Sequence, residues 1–83
     1  MIQPTIGRVV LVHRGNTGTN QPEPALVSYV HSDKLINVGG FDCNGTPFAC
    51  TSLQLLQDDD TPTNPKYYAE WMPYQKAQAE KNE

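Results

Sequence analysis

Eighty-three residues make one domain, and an apolar content of 37% with seven prolines and six glycines favours short strands and tight turns over a helical bundle. Six basic residues against nine acidic ones give a formal charge of −3 without a lysine–arginine cluster, which disfavours long nucleic acid as a partner; a small anion needs only one or two cations and stays open. No apolar run approaches the ~20 residues of a membrane span, and no basic segment followed by an apolar one opens the chain, so a reducing cytoplasm is the expected setting and a membrane is not an expected partner.

Gly7 precedes a first strand, Arg8 to Arg14, whose Val10 and Val12 point one way while Val9, Leu11 and His13 point the other. Residues 15–23 form a polar, glycine-containing loop, expected to be mobile and able to cover a ligand. A second strand runs from Pro24 to His31. Its alternation puts Tyr29 on the face of Ala25 and Val27, as a core residue with its hydroxyl at the rim. Ser32 to Lys34 make a turn. The third strand, Leu35 to Asp42, contains Gly39-Gly40, which signals a bulge, a bend or the close approach of another backbone. Asn44-Gly45 then predicts a two-residue hairpin into a fourth strand, Thr46 to Leu55. That register pairs Cys50 with Gly39 and Cys43 with Thr46. The two cysteines are then ~13 Å apart at the usual rise, beyond the roughly 7 Å between α-carbons that a disulfide allows, so free thiols are expected.

Residues 1–57 are thus the barrel body and 58–66 an acidic, proline-containing linker. Residues 67–83 are an aromatic tail that carries Tyr67, Tyr68, Trp71 and Tyr74. Asn64-Pro65 resembles a cap and first helical residue, which predicts a helical turn through Tyr67 and Trp71, a break at Met72 and a second helix from Pro73. The end beyond Tyr74 is expected to fray. Aromatics this large do not stay in water without reason, so the tail must cover its own barrel, cross to a sister subunit or stack on a ligand.

The fold class that follows is all-β, a small SH3-like barrel of four to five strands with a short C-terminal helical appendage. The whole chain also resembles a group of short phage and prophage proteins of uncharacterised role. The likeness rests on Gly7-Arg8-Val9-Val10, on Pro24-Ala25-Leu26-Val27 with Val30-His31 and Ile36-Asn37-Val38, and most distinctively on Trp71-Met72-Pro73-Tyr74-Gln75-Lys76. The resemblance implies a phage origin and the cytoplasm of a host; it supplies no catalytic residues.

Candidate chemistry is sparse. His13 and His31 end the first two strands, and with Arg14 and Lys34 they either line one rim as an anion site or are unrelated surface residues. Asn37, amid apolar neighbours, either caps a turn, bonds a backbone group or reads a ligand. Trp71 and Tyr74 either pack or clamp a base. Arg8 is expected to pair with Asp58-Asp59-Asp60 or Glu70. Neither the cysteines, the histidines nor the aspartate run has metal-ligand spacing, and Ser28 and Ser52 lack a nucleophile elbow, so no metal, cofactor or catalytic residue is expected. The leading expectation is a non-enzymatic, homo-oligomeric binding protein that sequesters a small nucleotide-like host signal as an anti-defence sponge. The alternative is an SH3-like interaction module docking on a host or phage protein.

Overall fold

The computed structural model describes residues 2–15, 18–58 and 60–81. Residues 16 and 17 of the polar loop, Asp59 of the aspartate run and residues 82–83 of the tail end lie outside the described residues. Five strands, β1 (Val9–Arg14), β2 (Glu23–Ser32), β3 (Leu35–Phe41), β4 (Pro47–Leu56) and β5 (Tyr67–Glu70), close into one barrel, followed by a helix, α1 (Pro73–Lys81). The small all-β barrel with a short helical appendage read from the sequence is therefore present. Strands β1 to β4 meander antiparallel, and β5 closes the barrel by pairing antiparallel with β1 and parallel with Leu55 and Leu56 of β4.

The period-2 patterns supply the core. Val10 and Val12 of β1, Ala25 and Val27 of β2, Ile36 and Val38 of β3, and Leu53 and Leu55 of β4 all point inward and are buried. Gly40 is the close approach expected of the glycine pair: a Cβ there would lie 2.2 Å from the Pro24 carbonyl oxygen and 2.8 Å from Ala25 Cβ.

Residues 67–70 correct one expectation: they form a strand, not a helical turn. Tyr67 and Trp71 are four apart, which suits one helix face and one strand face equally, and closure of the barrel against β1 decides for the strand. Ala69 and Trp71 point inward, both at most 1% exposed. Asn64 builds a turn instead of a helix cap, its side-chain oxygen accepting from Lys66 N and its carbonyl from Tyr67 N. The helix expected from Pro73 does form.

The hairpin register is a second correction. Val38 pairs with Cys50 and Gly39 with Ala49, one step from the expected pairing. Asp42 Oδ1 accepts N–H bonds from both Asn44 and Thr46, Gly45 N donates to the Asp42 carbonyl, and Gly45 takes φ of 81°. These contacts stabilise a three-residue loop with glycine in the left-handed position. Both thiols are free, with Cys50 buried and Cys43 exposed.

The barrel's sharp bend lies around Asn37. Register shifts in β2 fall between Val27 and Tyr29 and between Val30 and Ser32, and one in β3–β4 between Ile36 and Val38. Each inserts an extra residue and reverses the alternation beyond it. Tyr29 is therefore 54% exposed, not a core residue, while Val30 takes the inward position.

Gln57 fastens the barrel's end. Its amide is 3% exposed and makes all the bonds it can. Oε1 accepts from Ile2 N and Trp71 Nε1, both at 3.2 Å, and Nε2 donates to the Ile2 and Asp33 carbonyls at 2.8 and 2.9 Å. The indole thus covers its own barrel, as one reading of the tail expected. No helix among the described residues is long and apolar enough to cross a membrane.

Candidate functional site

The residues proposed for an anion site do not converge. Antiparallel neighbours end at opposite sides of a sheet: Val12 pairs with Glu23, the first residue of β2, so His13 lies by that end while His31 lies near the other. His13 and Arg14 are thereby separated from Tyr29, His31, Lys34 and Asn37.

The cations are also occupied. Arg14 points into the barrel mouth, where Nε and Nη2 donate to the two Glu23 carboxylate oxygens at 2.6 and 2.8 Å. Glu23 is 2% exposed, and the guanidinium lies 4.0 Å from the centroid of the Phe48 ring. The hydrogen bond to Glu23 raises the Arg14 pKa above its usual value. This bidentate pair, with the carboxylate buried and the guanidinium 26% exposed, plugs the mouth. His13 Nε2 donates to Glu70 Oε2 at 2.6 Å and its ring stacks on Tyr68 with centroids 4.5 Å apart. Burial first, and the Glu70 charge second, push the Tyr68 hydroxyl above its ordinary pKa. Lys34 Nζ bonds Asp60 Oδ1 at 3.0 Å. Asp60 is held below the usual carboxylate range chiefly by the Gln57 N–H and then by Lys34.

Asn37 Oδ1 accepts from Ser52 N at 2.8 Å and from His31 Nε2 at 3.0 Å, and Tyr29 lies edge-on to His31. The amide fills the gap that the β4 irregularity opens, where Ser52 takes φ of 52°, so backbone bonding accounts for Asn37. Trp71, proposed to clamp a base, is 1% exposed and has no face free to do so; Tyr74, on α1, is 70% exposed. The Arg8 guanidinium lies 5.6 Å from the Trp71 ring centroid, and Asp59, one of the carboxylates expected to pair with it, lies outside the described residues.

What the structure brings together instead is apolar surface. Directly opposed residues share a sheet face, so Val9, Leu26, Gly39 and Ala49 form one cross-strand row on the outside of β1–β4. Beside it lie Leu11 opposite Pro24 and Phe41 opposite Pro47, which complete a second row. Within β1–β4 neither row contains a charged or hydrogen-bonding side chain; Glu70 of β5, opposite Leu11, borders the second row. Leu26 is 50% and Phe41 54% exposed. A shallow groove of about 250 Å³ runs between Val9, Pro24, Leu26, Gly39 and Phe41. Its signal in the sequence was the apolar content of the outward positions, visible only once the register was known. Glu23, assigned to the polar loop, was likewise missed as the inward partner of Arg14. No family model, curated protein or solved structure matches the chain.

Proposed function

We propose that this protein is a non-enzymatic interaction module that docks on a partner protein through the outer face of β1–β4. The observation that carries this reading is the pair of uncharged cross-strand rows, with Leu26 and Phe41 half exposed at their centre. The strands close into one barrel, and its exposed apolar side chains lie on the outer face rather than along a strand edge, so recognition is assigned to the face.

The footprint selects the occupant. Four strands and two rows span on the order of 300 Å², from the usual strand spacing and rise. A stable homodimer buries ~800 Å² on each partner, more than this face supplies. The area suits a short apolar segment of another protein, and patches of this size on small domains are often functional. The other reading, a phage-encoded protein that captures a nucleotide-like signal in the host cytoplasm, draws on the resemblance and on Tyr29, His31 and Asn37. It is the weaker reading because Arg14, Lys34 and His13 each face a carboxylate. The groove of about 250 Å³ also falls below the ~300–1,000 Å³ of typical small-molecule pockets.

Selection of displayed random peptides on the purified protein tests the proposal. Selected peptides are expected to shift the amide resonances of Leu26, Gly39 and Phe41, and to lose at least tenfold in affinity against Leu26→Lys or Phe41→Lys, with both variants melting as the parent does. Peptides indifferent to both lysines would overturn it. Release of an intact cyclic dinucleotide or ADP-ribose derivative on heating, after incubation with such a panel, would favour the small-ligand reading.

A further inference from the structure

Resting on the docking reading, we infer that Gly39 is an anchor notch: its missing side chain leaves room for one bulky uncharged side chain of the partner segment, a Leu, Ile, Met or Phe, and sets what the face accepts. The two adjacent glycines of β3 differ in why they are glycine. At Gly40 a Cβ would collide with backbone, 2.2 Å from Pro24 O and 2.9 Å from Ala25 Cα, so the barrel itself requires the hydrogen. At Gly39 a Cβ would meet only Phe48 O at 3.9 Å, an ordinary contact, and its φ lies outside the left-handed region. The fold does not require glycine at 39. A glycine within a strand has no side chain to pack and loses more conformational freedom on folding than alanine does.

Gly39 is one of the residues that line the groove. Leu26 and Ala49 are opposite Gly39 on its two neighbouring strands, and Val9 lies one strand farther out, opposite Leu26. Pro24 and Phe41 form the adjoining wall. The side chains that line the groove are all hydrocarbon and none is ionisable, which favours an uncharged anchor. The groove's volume fits one large side chain and not a nucleotide. Binding energy in such interfaces concentrates in one or two buried anchors surrounded by a water-excluding ring, and Leu26, Phe41 and Pro24 are placed to form that ring.

A size-exchange experiment tests the notch apart from the face. Take a peptide selected on the wild-type protein and identify its anchor by alanine scanning. The trimmed peptide is expected to lose at least tenfold against the wild type. Gly39→Val is expected to lose at least tenfold against the parent peptide and to recover at least fivefold when the anchor is trimmed to Ala. If Gly39→Val fails to melt cooperatively, Gly39→Ala replaces it, with a smaller loss and the same reversal of preference. A Gly39 variant that binds the parent peptide unchanged, while Leu26→Lys abolishes binding, overturns the notch and leaves the docking face standing. Equal weakening of parent and trimmed peptides overturns it too. Insensitivity to Leu26→Lys and Phe41→Lys overturns the docking face itself.

Discussion

On its inner face the sheet β1–β4 carries Val10, Val12, Val27, Ile36, Val38 and Leu53, none more than 2% exposed; on its outer face Leu26 and Phe41 stand half in water. Both faces are apolar, yet they answer to different demands. Burial of the inner set offsets the entropy of ordering a small chain, as any fold of this size requires. The outer set, half exposed, gains only part of that burial and adds a risk of association. Apolar content alone does not separate the two; the direction of each side chain does.

The largest effect expected on the inner side comes from Trp71→Ala. The indole is fully enclosed and donates to Gln57, and truncation of a buried tryptophan costs about 3–5 kcal/mol. A domain of this length has ~4–12 kcal/mol in all, so a fall in melting temperature of about 12 °C or more is expected. A thermal scan in which the variant melts within a few degrees of the parent would place the indole outside the stabilising core.

The glycine pair sharpens the contrast between faces. Gly40→Ala forces a methyl against the Pro24 carbonyl, and overpacking of this kind typically costs about 1–3 kcal/mol. Gly39→Ala has open space and is expected to change stability by about 0.5 kcal/mol or less, in the stabilising direction if in either. Denaturant titration of both variants compares them directly. Equal losses at the two positions would mean that the outer face is under the same steric constraint as the inner one.

How legible this was in the sequence depends on whether a feature is local. The alternation of Val10 and Val12 and the need of Trp71 for cover were readable, because each follows from side chains a few residues apart. The spacing of Tyr67 and Trp71 was not decisive, since four residues return to the same side of a strand as well as of a helix. Asn44-Gly45 correctly marked a hairpin, but the Asp42 carboxylate chose a longer loop, and the resulting one-residue slip exchanges the two faces of β4. With the slipped register Phe48 and Cys50 would have faced outward and Ala49 inward, which hides the second half of the outer patch. Tyr29 was misplaced because the shift after Val27 leaves no mark in residue type. The residues of the candidate anion site lie apart for a geometric reason: adjacent antiparallel strands carry their C-terminal residues to opposite ends.

Away from both faces, Asp60 provides a pH readout. Its pKa is lowered in the folded protein by the Gln57 N–H and by Lys34. A lowered carboxylate pKa contributes stability that is fully present above the unfolded value, near 3.8, and is lost as the pH falls through the folded value. Asp60→Asn is expected to lower the melting temperature slightly at pH 7 and to flatten the acid limb below pH ~4. An acid limb parallel to that of the parent would show that the lowered Asp60 pKa contributes nothing to it.

The smallest effect belongs to the helix. Tyr74 is 70% exposed, and what ties the first turn of α1 to the barrel is Gln75, whose Nε2 donates to the Val9 carbonyl at 3.1 Å while its Oε1 accepts from Met72 N. Truncation after Gln75 keeps both bonds and removes Lys76, whose ammonium lies 3.9 Å from Glu70 and is 53% exposed. Exposed pairs of this kind contribute about 0–1 kcal/mol. The shortened chain is expected to melt within about 8 °C of the parent and to bind selected peptides with unchanged affinity, because the groove is lined by residues of β1–β3, all of which remain. Loss of peptide binding with the melt unchanged would extend the docking surface from the sheet onto α1, and would make the helix, not the barrel's outer face, the part of the molecule that selects its partner.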